Sequence, residues 1–335
     1  MKKLFILLLK FFTPLLMVLM IYAWVDPFKV IWYYDNFYEQ SSTLSPPLDK
    51  DYVSTTNYDN RYKDEHYDSF IFGNSRSIFY ETAIWKKYLP ANSKPYHFDA
   101  SAETMYGIYK KVQYIDRKNE KMNNVLLVLD HLILERDKSL DGHLFAISPQ
   151  LTGYNNIANF HLQFLRATLS YEFLPIYIEH KVTGKLEPYM TETALRPITY
   201  QYDKYTNEMR HIADEKRIAD GTFYTPYVMK VFHKREAIQK YSPVVIKKNQ
   251  KEMLSEIARI FKKQGTKYKI IINPLYDQQK LNVADLAYLK KLFGSETVFD
   301  FSGINSITED YRNYYENSHY RPHVATAIMS EIYSK

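Results

Sequence analysis

The sequence predicts an α/β fold, a mostly parallel sheet with helices on both faces, behind one N-terminal apolar helix. Three observations carry this reading. Phe70-Ile71-Phe72, Leu126-Leu127-Val128 and Ile270-Ile271-Ile272 are short apolar runs that end at Gly73, Asp130 and Asn273-Pro274. Consecutive apolar positions require a strand buried on both faces. Helical patterns separate these runs, and that alternation makes a parallel sheet. The third observation is the apolar stretch Leu4 to Val25, which has the length of a bilayer-crossing helix.

In chain order, residues 1–26 read as a membrane anchor. Lys2, Lys3 and Lys10 lie toward its start and Asp26 follows its end. The positive-inside rule then places the N-terminus in the cytoplasm and the remainder outside a cytoplasmic membrane crossed once. Lys10 interrupts the run, and its stem can snorkel to the headgroups. Trp24, Trp32, Tyr33 and Tyr34 fall where an aromatic belt would lie. A cleaved signal peptide is the rival reading, but no A-x-A-like site follows the run. Residues 27–66, Tyr-rich with Pro46-Pro47, read as a linker or irregular collar. Residues 67–335 form the α/β domain.

Within that domain the pattern predicts strands over Asp68–Phe72, Tyr96–Asp99, Asn124–Leu129, Tyr268–Ile272 and Thr297–Phe301. It predicts helices over Arg76–Tyr88, stopped by Pro90, and over Glu103–Asp116, 245–264, closed by Gly265, Val283–Phe293 and Val324–Tyr333. Between about 132 and 242 the alternation stops. That stretch reads as an insertion on the functional rim, with a helix over Asn156–Thr168 and a hairpin across Thr199–Arg210.

Composition narrows the chemistry. Of 335 residues 46% are apolar, enough to bury a core. There is no Cys, so thiolate zinc sites, disulfides and a cysteine nucleophile are excluded. The net charge of +6 is scattered and gives no nucleic-acid footprint. The 32 Tyr suit strands and interfaces, or platforms for sugars. No compact metal-ligand spacing is present; His131 and His143 lack an HExxH-type arrangement.

Two segments can carry catalysis. Gly73-Asn74-Ser75-Arg76 follows the first strand and opens the next helical pattern. Ser75 there is either a nucleophile at a strand-to-helix turn or an ordinary N-cap. Glu316 and His319 sit three apart in the loop before the last helix, a spacing that lets a carboxylate orient an imidazole. Strand-end loops of an open α/β sheet converge on one rim, so the two segments can meet.

This combination resembles the SGNH hydrolase-like superfamily, which has a flavodoxin-like fold. In particular it is similar to membrane-anchored cell-envelope members such as the D-alanyl transfer protein of teichoic acids and the alginate O-acetylation proteins. Gly73-Asn74-Ser75 stands where that superfamily has Gly-Asp-Ser, and Glu316 and His319 stand where it has Asp-x-x-His. The resemblance implies a Ser75–His319–Glu316 triad without a cofactor. It also implies an O-acyltransferase, by expectation of acetyl groups, acting on a cell-envelope glycan. A membrane-bound acyltransferase would be the partner that supplies the acyl group. Gly73, Asn74, Arg76, Ala100, Ser101 and His131 fall at the oxyanion and substrate positions. Ala100 or Ser101 would donate a backbone N–H, and His131 would take the place of an Asn. His131 reads equally as a structural His, and Arg76 as an ion-pair partner. An esterase of the same fold and a non-catalytic glycan-binding component are the alternatives.

Overall fold

The computed structural model describes residues 2–38 and 44–334. Five strands form the central sheet: β1 (Ser69–Phe72), β2 (Pro95–His97), β3 (Asn124–Leu129), β4 (Lys267–Ile272) and β5 (Val298–Asp300). Their spatial order is β2-β1-β3-β4-β5, and every neighbouring pair is parallel. This 2-1-3-4-5 order is one of the two common doubly wound arrangements. It reverses direction between β1 and β3, and the crevice at such a point is where ligands bind.

Alternate residues of each strand enter different cores, as two buried faces require. Phe70, Phe72, Val125, Leu127, Ile270 and Ile272 pack with the helices Met105–Arg117, Lys248–Gln264 and Val283–Phe293. Ile71, Leu126, Val128 and Ile271 face the other way, onto the closing helix Pro322–Ser334 through Val324, Ile328 and Met329. Outside Arg76–Tyr88 the predicted helix boundaries hold to within a few residues, and Gly265 closes its helix in the left-handed region at φ 69°.

Two expectations for local structure change. Residues 27–66 are not all irregular: Lys50–Glu65 is a 16-residue helix, capped by the Asp49 carboxylate at the N–H groups of Asp51 and Tyr52. Its inward face is largely polar, with Lys50, Asp51, Ser54, Thr55, Asn57 and Arg61 buried. No apolar stripe therefore announces it. The segment Arg76–Tyr88 is not one helix either. It breaks into the single turns Ser77–Phe79, Thr82–Trp85 and Lys86–Tyr88.

The N-terminal segment is a helix, Lys2–Val25, with Pro14 inside it. Phe11, Leu16, Met20 and Trp24 on it are exposed, while Tyr22 is buried. Among the described residues no helix is long and apolar enough to cross a membrane. Lys10 leaves Phe11–Val25 as the longest uncharged run, about 22 Å of helix against a hydrocarbon core of about 30 Å. The helix is as expected; a transmembrane span is not what the described residues show.

The insertion divides into two parts. The helices Ile157–Thr168, Leu174–Thr183 and Pro188–Thr193 build a separate small core with Tyr22, Phe28 and Val30 at the foot of the N-terminal helix. Its second part returns to the sheet rim. There Arg196–Pro197 pairs antiparallel with Leu44–Ser45, and the expected hairpin forms from Gln201–Asp203 and Glu208–Arg210.

Candidate active site

β1 delivers the chain to the rim through Gly73. A Cβ at that position would lie 2.7 Å from Ser77 Cβ and 2.9 Å from the Val128 carbonyl oxygen. Only glycine lets the turn approach β3 this closely. The turn is then fixed from within. The carbonyl of Asn74 accepts the Ser77 N–H at 2.8 Å and the Ser77 hydroxyl at 2.7 Å. Behind it His97 Nε2 lies 3.0 Å from Ser77 Oγ. With that hydroxyl proton already on Asn74, the imidazole donates from Nε2. Its Nδ1 is buried without a partner among the described residues, and burial pushes the His97 pKa down. This buried Ser–His pair supports the turn.

The loop before the closing helix is pinned at both ends. Tyr314 and Tyr320 pair as an antiparallel bridge, and both are fully buried. The Tyr314 hydroxyl donates to the Pro274 carbonyl at 2.9 Å, and the Tyr320 hydroxyl to Asn273 Oδ1 at 2.9 Å. The Tyr315 N–H donates to the His319 carbonyl at 2.9 Å. Between the pins, Glu316 and His319 face the β1 turn.

Ser75 Oγ lies 2.8 Å from His319 Nε2. His319 Nδ1 is hydrogen-bonded to Glu316 Oε1, and Glu316 Oε2 accepts the Ser318 N–H at 2.7 Å. Burial opposes ionisation of Glu316, but the hydrogen bond and charge of His319 and the backbone donors outweigh it and hold the carboxyl below its usual range. An ionised carboxylate only accepts. The Nδ1 must therefore carry the proton, which leaves the Nε2 lone pair to take the proton of Ser75. This is the donor–acceptor order of a serine nucleophile with its general base.

A buried polar brace fixes the two halves to each other. Asp130, at the end of β3, accepts from Asn74 Nδ2 and Arg76 Nη1, each at 2.9 Å, and from the Ile133 N–H at 3.0 Å. Asn273, at the end of β4, adds a weaker contact at 3.4 Å. Burial raises the Asp130 pKa, but Arg76, the Ile133 N–H and Asn74 together bring it below the usual carboxylate range. Arg76 then reaches across to the His319 loop, donating from Nε to the Ser318 carbonyl at 2.9 Å and from Nη2 to Ser318 Oγ at 3.0 Å.

No family model matches this chain. No curated protein matches it either.

The geometry of the site redistributes the positions expected to bind an oxyanion or substrate. Gly73 permits a close backbone approach, and Asn74 is buried and engaged with Asp130 and the Arg76 N–H. Arg76 serves as an internal tie, with three of its five N–H donors engaged by Asp130 and Ser318. The Ala100 N–H donates to the Gly73 carbonyl at 3.3 Å. His131 opens the short helix His131–Glu135 and makes no hydrogen bond to Ser75 or the His319 loop; its neighbour Asp130 serves the site instead. Among the described residues the N–H groups of Ser75 and Ser101 donate to no intramolecular partner, and both residues line one cavity of about 220 Å³. They are the donors available to an oxyanion. Ser75 opens no long helix, so the expected contribution of a helix N-terminus is replaced by single N–H groups. Among the described residues no group of three or more His, Asp or Glu side chains could hold a metal ion.

The sequence reading missed Asp130 and Asn273 as parts of the brace. Their signal was available: each is the first polar residue after an unbroken apolar run, at the rim where sites form. It also missed Glu215 of the insertion helix Ile212–Ala219. That carboxylate accepts from the Tyr315 hydroxyl at 2.7 Å and from Arg321 at 2.9 and 2.6 Å, clasping both sides of the His319 loop.

Proposed function

We propose that this protein is a serine acyl-transfer enzyme of SGNH-like type that acts on a cell-envelope glycan. The observation that supports it is the chain of contacts Ser75–His319–Glu316, assembled from residues 244 positions apart. Ser75 Oγ attacks an ester or thioester carbonyl while its proton passes to His319 Nε2. The Oγ–carbon bond forms. The bond from that carbon to the leaving oxygen or sulfur then breaks, and the leaving group takes the proton from His319. Glu316 holds the imidazolium in place, and the N–H groups of Ser75 and Ser101 meet the oxyanion. An acceptor hydroxyl then repeats the sequence in reverse.

Glycan transfer rather than hydrolysis rests on the apolar N-terminal helix. The side chains of His319 and Glu316 are 31% and 35% exposed, so the triad is reachable by a polymeric hydroxyl and by water alike. The helix Lys2–Val25 holds the domain at the outer face of a membrane, with Lys10 snorkelling to the headgroups so that the apolar span extends back to Leu4. Trp24, Trp32 and Tyr33, all exposed, lie at its outer end. A membrane-bound acyltransferase supplies the acyl group there.

The test is to trap the acyl-enzyme. Brief incubation with an activated ester should add one acyl mass to the Ser75 peptide, and a soluble glycan fragment should discharge it faster than water does. Discharge by water alone would leave an esterase. Absence of any adduct would leave the glycan-binding reading.

A further inference from the structure

The cavity beside Ser75 indicates which acyl group the enzyme carries. Its volume is about 220 Å³, and Tyr38, Leu48, Ile78, Pro197 and Met209 are among the apolar residues that line it. Ser45, Lys50, Asp99 and Arg196 also line it; Arg196 is exposed, and Lys50 and Asp99 are already matched within the protein. They pair at 3.5 Å, and Asn207 Oδ1 accepts from Lys50 at 2.9 Å while Asn207 Nδ2 donates to Asp99 at 3.1 Å. The remaining surface is mainly apolar.

No residue of the Tyr314–Tyr320 loop lines this cavity. Ser75 thus has His319 on one side and the cavity on another. A tetrahedral intermediate on Ser75 Oγ has three other substituents. The leaving group, and later the acceptor hydroxyl, must receive or give a proton at His319 Nε2, so they stand on the His319 side. The oxyanion turns to the N–H groups of Ser75 and Ser101. The cavity is left for the acyl chain.

We infer that the acyl group is an apolar chain of several carbons rather than acetyl; this rests on the Ser75–His319–Glu316 reading. A methyl group takes about the space of one water, about 30 Å³. An acetyl group would leave most of the cavity to solvent and most of its apolar wall unused.

The full-length protein in detergent micelles, offered p-nitrophenyl acetate, butyrate and hexanoate, tests this. Each methylene fitted into an apolar pocket is worth about tenfold or more in kcat/KM, so hexanoate should exceed acetate by at least about tenfold. Met209→Trp, which fills the cavity, should lower the hexanoate-to-acetate ratio by a similar factor. Ile78→Phe provides the same readout should the first variant fail to fold. Acetate preferred by a wild-type protein whose Ser75 reacts with a fluorophosphonate overturns the chain-length inference alone, as does a ratio that a folded filled-cavity variant leaves unchanged. No cleavage of any ester together with an unreactive Ser75 overturns the catalytic reading and the inference with it.

Discussion

Arg76 and Ser318, 242 positions apart, are joined by two hydrogen bonds, and each is the immediate neighbour of a triad residue. The nucleophile's turn and the base's loop are thereby locked through one guanidinium. That guanidinium is itself anchored on Asp130, whose side chain is 1% exposed.

Arg76→Ala should be costly in two ways. It leaves the Asp130 carboxylate buried without its cation, a loss of about 3–5 kcal/mol for a broken buried pair. It also frees the His319 loop, so ester cleavage should fall about 100-fold, the scale set by a misplacement of about 1 Å. Adding Asp130→Asn should restore much of the stability and none of the activity. Urea melts and initial rates on the same samples separate the two effects.

The pH dependence follows from the same brace. The folded pKa of Asp130 lies below its unfolded value, so its contribution to stability is complete above the unfolded value of about 3.9 and is lost as pH falls through the folded one. The wild-type midpoint in urea should therefore fall between pH 5 and pH 3 by more than that of the Arg76→Ala/Asp130→Asn variant. Equal falls would show that the brace does not titrate this way.

Glu316→Gln should be severe. The Ser318 N–H donates to Glu316 Oε2, so the amide oxygen of a Gln would settle there and turn its NH₂ toward His319 Nδ1. That stabilises the tautomer with the proton on Nε2, which cannot accept from Ser75. A loss of about 10⁴ in kcat is the scale of a wrong-tautomer triad. A milder loss than that of Glu316→Ala would contradict the assigned orientation.

Glu215 is a positioning residue. Its pKa is held below the usual carboxylate range: burial opposes this, and the hydrogen bonds from Arg321 and Tyr315 prevail. Glu215→Ala removes the hydrogen bonds from Tyr315 and Arg321 and should slow acylation of Ser75 by at least about tenfold, while far-UV circular dichroism stays unchanged. Glu215→Ala/Arg321→Ala should be no worse than the single variant, because the two side chains act as a pair.

Much of this was legible in the sequence for a simple reason. NVLLVL and YKIII each end in an unbroken apolar run, VLLVL and III, so each had to be a strand buried on both faces over that run, and β3 and β4 lie where those runs do. Ser75, His319 and Glu316 were legible because strand-end loops meet on one rim. The helix Lys50–Glu65 was not, because it buries polar side chains that pair with partners far along the chain, such as Lys50 with Asn207. The roles of Arg76 and Asn74 were hidden likewise. A charged or amide side chain beside a nucleophile reads the same in sequence whether it meets a ligand or a buried carboxylate. Only the position of Asp130 decides between them.

The most direct test of the central claim is labelling with a fluorophosphonate probe, read by mass spectrometry of the intact protein and of the Ser75 peptide. The triad account predicts one adduct per chain, located on Ser75, absent in Ser75→Ala and slowed by at least about 10³ in His319→Ala, with the double variant no worse than either single one. An unlabelled wild-type protein, or labelling that persists at the same rate in His319→Ala, would contradict it.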